Sequence, residues 1–368
     1  MKKWIMVLAV VFLLGSLCTV SASNILSAQS DALDLDGLED AAGAYGTGID
    51  VEAGISLDEG ISYILDTGND QIFNIIKKGL RSGLLMLVVV LLCGLAEGTY
   101  SGVGGSKQAV DTVNLVGVLA VTAIAVTDVH TLIGLGRDAI ESMEIFSKVL
   151  LPTVTAAAAA SGAPGAAVAR QFSTMLFSDI LLTVINRLLL PLVYADIAAC
   201  VAYAAVGNEG LKRIGELIKW VVTTILGGIL VIYVSYLSIT GAVAGTADAA
   251  AVKAAKFTVS SVVPVVGKIL SDAADSVLAG AGVLKNTVGV FGMIVVLCIC
   301  ISPFLMLGIH YLVYKVAATL TATVSPGRVS GLIDQIGGAF GMLLGMTGSC
   351  ALLLLISMVS AITTVVKT

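Results

Sequence analysis

The sequence predicts an all-α, polytopic helical membrane protein, and three observations carry that expectation. Hydrophobic residues fill 57% of the 368 positions and charged residues only 12%, where a soluble domain carries about 25% charged residues. Mean hydropathy is +1.02, so the chain could not solvate its surface in water. The apolar residues also fall in long unbroken runs, not in the ten-residue alternating segments of a β-barrel. In lipid the backbone must satisfy its own hydrogen bonds, and a helix does so within one segment.

Taken in order, Lys2 and Lys3 precede an apolar run over 4–20 that ends at Val20-Ser21-Ala22. A basic start, an apolar centre and a small-residue end read as a signal peptide over 1–22. A first membrane helix is the competing reading. Leu17 stands where lipoprotein processing before Cys18 would need a small residue. Residues 23–81 form an acidic segment. No Lys or Arg occurs between Trp4 and Ile76, while eleven Asp and Glu do. The positive-inside rule therefore places this segment outside the cytoplasm. Its first half, rich in Asp, Gly, Ala and Ser, is expected to be disordered. From Ile61 apolar residues recur at helical intervals, which predicts an amphipathic helix near the membrane surface.

The remainder, 82–368, reads as the membrane domain. Apolar runs near 82–97, 109–127, 149–168, 172–188, 189–206, 218–244, 288–312 and 338–366 suggest about eight spans, each near the roughly 20 residues a bilayer requires. Asn186, Arg187 and Pro191 interrupt 172–206, and proline breaks a helix interior, so a tight hairpin with Arg187 at its turn is expected. That hairpin puts Arg170, Lys212, Arg213, Lys219, Lys315 and Arg328 on one side, expected to be cytoplasmic. It puts 128–148, with Asp128, Asp138, Glu141 and Glu144, on the other. Lys77, Lys78 and Arg81 run against this arrangement.

Residues 246–287 are too polar for a simple span. Val262, Val266, Ile269, Ala273, Val277, Ala281 and Leu284 form an apolar stripe at helical spacing. Lys268, Asp272 and Asp275 lie off that stripe and form the candidate functional polar face. This face belongs either to a helix lying in the membrane interface or to one that lines an aqueous path or meets a partner. In the last span Gly337, Gly341, Gly345 and Ser349 recur every four residues, a spacing that lets helix backbones approach closely.

Chemistry is sparse. All six cysteines lie in apolar segments, where a thiol packs as a small hydrophobe, and Cys298-Ile-Cys300 lacks the C-x-x-C spacing of a metal or redox site. His130 and His310 suggest no metal site. There is no P-loop, no nucleophile–base pair, and no basic patch for nucleic acid. The reading is therefore a non-enzymatic protein with no catalytic, cofactor-binding or metal residues. Asp179, Arg187 and Asp196 are the ionisable residues nearest the bilayer, which makes them functional candidates by default, although Arg187 serves equally as a hairpin marker.

Four stretches carry a family resemblance. They are Ala255-Lys256-Phe257, Val263-Pro264-Val265-Val266-Gly267-Lys268, Asp272-Ala273-Ala274-Asp275 and Leu284-Lys285-Asn286-Thr287-Val288-Gly289. Together they resemble the stage III sporulation protein AE family of endospore-forming bacteria. The resemblance transfers no active site. It implies a membrane subunit of the channel, or feeding apparatus, between mother cell and forespore, placed in the mother-cell membrane around the forespore. It implies as partners other stage III sporulation membrane proteins, including ring-forming subunits, and a separate cytoplasmic ATPase. A stand-alone permease for a small solute and a non-conducting scaffold are the rival readings.

Overall fold

Long apolar runs with few internal breakers give long helices. The computed structural model describes residues 35–43, 57–102, 107–262, 266–324 and 327–363, with side chains over a narrower set that omits 57–75, 100–110, 241–247, 249, 255–277 and 324. Among the described residues the α-helices are α1 (Leu35–Gly43), α2 (Leu57–Gly102), α3 (Lys107–Ala160), α4 (Pro164–Val184), α5 (Leu190–Val206), α6 (Glu209–Val262), α7 (Val266–Val324) and α8 (Arg328–Thr363). The signal segment lies outside the described residues.

Among the described residues, six stretches are long and apolar enough to cross a membrane: 76–99, 111–160, 164–206, 209–240, 278–323 and 328–363. The expected eight become six because two pairs fuse. The runs at 109–127 and 149–168 belong largely to α3, a single helix of 54 residues. The expected loop at 128–148 is helical. Its charges do not break the helix because each has water or a partner: Arg137, Asp138 and Glu141 are exposed, Glu144 pairs with Lys148 at 2.7 Å, one turn on, and buried Asp128 accepts a hydrogen bond from Tyr314.

The second fusion joins α4 to α5. The expected hairpin at Asn186-Arg187 is absent, and the chain passes through a π-helical turn over Ile185–Leu189. The backbone N–H of Leu190 donates to the carbonyl of Ile185, five residues back. That wider turn shifts the hydrogen-bond register just before Pro191. It thereby absorbs the missing N–H and the ring clash that end an ordinary helix. Pro191 becomes an early residue of α5, where proline is tolerated.

One crossing, not two, then separates Arg170 from the other basic residues. The turn after α5 uses Gly207 in the left-handed conformation at φ 76°, and the Arg328 guanidinium packs against it. Arg328, Lys212 and Arg213 thus gather at one end. Arg170, six residues after the α4 start, lies at the other, beyond the turn at Gly162 (φ 93°) that ends α3. The expectation that all six basic residues share one side is corrected accordingly.

The helices α7 and α8 form the centre of the bundle, with α2 and α3 packed against α7. Phe146, Phe291, Phe340 and Met86 are fully enclosed. With a rise of about 1.5 Å per residue, α3 and α7 run roughly 80–90 Å, far more than the ~30 Å hydrocarbon core. Helix α6 continues past Asp248 to Val262, and α7 begins at Val266, well before Lys285. These two helices extend beyond the start of α4.

Candidate functional site: a polar cluster buried among four helices

Helix α4 begins without a capping side chain of its own, because Ala163 occupies the cap position and Pro164 follows. Its first N–H groups find a partner on another helix. Gly165 N donates to Asp248 Oδ1 at 3.0 Å, and Ala166 N donates to Asp248 Oδ2 at 2.8 Å. Asp248 is buried on α6. A carboxylate here satisfies two orphan donors and meets the positive end of the helix dipole.

One turn into α4 the buried Arg170 donates from Nε to Ser360 Oγ of α8 at 3.0 Å. Asp248 lies within electrostatic reach of this guanidinium. So does Lys285 of α7, of the same sign and also buried. Asp248 is therefore the counter-charge that offsets the enclosed Arg170. A further turn along, Thr174 Oγ1 hydrogen-bonds both Tyr233 Oη of α6 at 3.0 Å and Ser357 Oγ of α8 at 2.7 Å. Phe177 packs on Tyr233 with ring centroids 5.3 Å apart. The cluster thus joins α4, α6, α7 and α8 through one carboxylate, two cations and four hydroxyls. Its chemistry is that of pairing and positioning. Among the described residues no group of three or more His, Cys, Asp or Glu could hold a metal ion.

Two further polar contacts lie deeper. Tyr314 of α7 donates to Asp128 Oδ2 of α3 at 2.8 Å and packs edge-on against Phe340. His310 is buried, with Nδ1 2.7 Å from the Met306 carbonyl, whereas His130 is exposed.

Lys268, Asp272 and Asp275 fall in the first turns of α7, and their side chains lie outside the described residues. Lys285, quoted above only within the resemblance, belongs to the cluster. In the small-residue stripe, a Cβ at Gly337 would lie 3.1 Å from Tyr314 Cβ, and one at Gly341 3.1 Å from Tyr311 Cε2. Gly337 lies against the α7 backbone at Tyr311–Lys315 and Gly341 seats the Tyr311 ring, so the close contact is within one chain. Gly345 is exposed, with Leu226 at an ordinary 3.8 Å. Buried Ser349 bonds back to the Gly345 carbonyl at 2.7 Å. Asp179 and Arg187 are exposed on the bundle surface, whereas Asp196 is fully buried. Sequence reasoning missed Asp248 in an alanine-rich stretch and took Arg170 as a flanking charge. The available signal was a lone ionisable residue among apolar and small neighbours.

The fold and the cluster define an integral membrane protein of the polytopic α-helical class, its helices tied by buried polar pairs. The chain belongs to the stage III sporulation protein AE family, whose family model matches residues 54–365. That range holds the whole cluster, and it places the protein in sporulation. A protein of Bacillus subtilis (strain 168) named stage III sporulation protein AE is 24% identical over 271 residues, covering 71% of this chain and 65% of that relative. The chain thus aligns with just under two thirds of the relative's length. No solved structure matches.

Proposed function

We propose that the protein is a non-enzymatic membrane subunit of the channel complex that joins mother cell and forespore, residing in the mother-cell membrane around the forespore. The observation that carries this reading is family membership over 54–365 in a chain built as a membrane-spanning bundle. The end holding Lys212, Arg213 and Arg328 faces the cytoplasm by the positive-inside rule. The Arg170–Asp248 end then faces the space between the two cells. There α6 and α7 run on past the cluster, and Lys268, Asp272 and Asp275 fall within that stretch of α7. Helices continued beyond the cluster in this way suit contact with other stage III membrane proteins, including ring-forming subunits. A separate cytoplasmic ATPase supplies the energy.

Affinity purification of tagged protein from sporulating cells tests this reading. Co-recovery of other stage III membrane proteins and the ATPase is expected. Recovery of the protein alone, after cross-linking and mild extraction, would leave the stand-alone permease or the scaffold.

A further inference from the structure

Asp196 lies in α5, fully enclosed within a membrane-spanning segment. Oδ1 has only the Cys200 thiol, a weak donor, at 3.8 Å on its own helix. Oδ2 has no hydrogen-bond partner among the described residues. The backbone of α6 lies directly against the carboxyl, since a Cβ at Gly215 would stand 2.9 Å from Oδ1. Asp196 is in no ion pair within 4.0 Å among the described residues.

The surrounding charges are accounted for. Lys219 of α6 is within electrostatic reach, but its ammonium is turned to α8, where a Cβ at Gly338 would be 3.0 Å from Nζ. On α8, Asp334 is paired with Lys315 at 2.6 Å, and Arg328 is packed on Gly207. On α3, Asp128 accepts from Tyr314. Gln335, one turn before Gly338 on α8, also has a buried oxygen, Oε1, with no partner among the described residues. An ionised carboxylate enclosed with so few donors is costly. A carboxylic acid has one oxygen fewer to satisfy and becomes a donor itself.

We propose that Asp196 is a proton-binding site within the membrane bundle, its carboxyl holding one proton taken from the aqueous phase while α5, α6 and α8 are packed. The reaction is addition of a proton to one carboxylate oxygen, with no bond broken in the protein. Release of that proton leaves a buried anion that must draw in Lys219 or open the α5–α6 contact. The site is thus a place where proton uptake is coupled to helix packing. It stands independently of the channel reading.

The test uses the full chain in lipid nanodiscs. Infrared spectra of the parent and of Asp196→Asn at neutral pH are expected to differ by one protonated-carboxyl band, present only in the parent. Asp196→Asn copies the neutral acid, so its Tm should stay within about 3 °C of the parent. Lys219→Met should retain the band and a similar Tm. Absence of the band would overturn the proposal. So would a Tm lowered by more than about 6 °C in either variant, since that identifies an ionised Asp196 held by Lys219. Failure of Asp196→Asn to fold would overturn it as well.

Discussion

Asp248 of α6 caps the N-terminus of α4 from 83 residues away in sequence, its two oxygens each taking a backbone N–H, from Gly165 at 3.0 Å and Ala166 at 2.8 Å. A cap supplied by a distant helix links local helix stability to tertiary packing. Asp248→Ala removes both acceptors and the counter-charge near Arg170. A loss of at least ~1–2 kcal/mol is expected, the range for a lost cap. Asp248→Asn keeps one acceptor and should cost less. Thermal unfolding of the purified protein in detergent reads both.

Gly341 and Gly345 share one stripe but should respond differently. Gly341→Leu drives a side chain into the Tyr311 ring, which stands 3.1 Å from the Cβ position. Overpacking of this kind costs about 1–3 kcal/mol and should lower accumulation in the membrane. Gly345 is exposed, with only an ordinary contact to Leu226, so Gly345→Leu should accumulate normally. Equal loss in both would show that Gly345 meets another subunit.

Tyr314→Phe deletes the donor to buried Asp128 and little else. Leaving a buried acceptor unsatisfied costs about 1–3 kcal/mol. Asp128→Asn and the double variant complete a cycle, and their coupling should be well above zero because the residues touch.

The continuous α4–α5 rod makes a topological prediction. Ser161→Cys and Asn208→Cys flank the rod, and an impermeant thiol reagent should reach them from opposite sides of the membrane. Labelling of both from one side would restore a hairpin at Arg187.

Fold class, the membrane setting and the apolar runs were legible because they depend on composition and local period. The span count was not, and Pro191 and Asp128 show why. A proline looks like a break unless the preceding turn widens, and nothing local announces a π turn at Ile185–Leu189. An aspartate in a polar stretch looks like a loop residue unless a distant tyrosine is known to receive it. The every-fourth-residue spacing of Gly337 and Gly341 was readable, but which helix lies against them was not. Arg170 and Asp248 were readable as isolated charges. Their union needs the fold, because 78 residues and a full return crossing separate them.

The most direct measurement of the proposed role is cell-specific complementation of a strain lacking the gene, read by a late forespore reporter. Expression of the chain from a mother-cell promoter alone is expected to restore the reporter, because the subunit acts from the mother-cell membrane on the forespore's development. Restoration only by expression within the forespore, with none from the mother cell, would contradict that placement and the channel reading built on it.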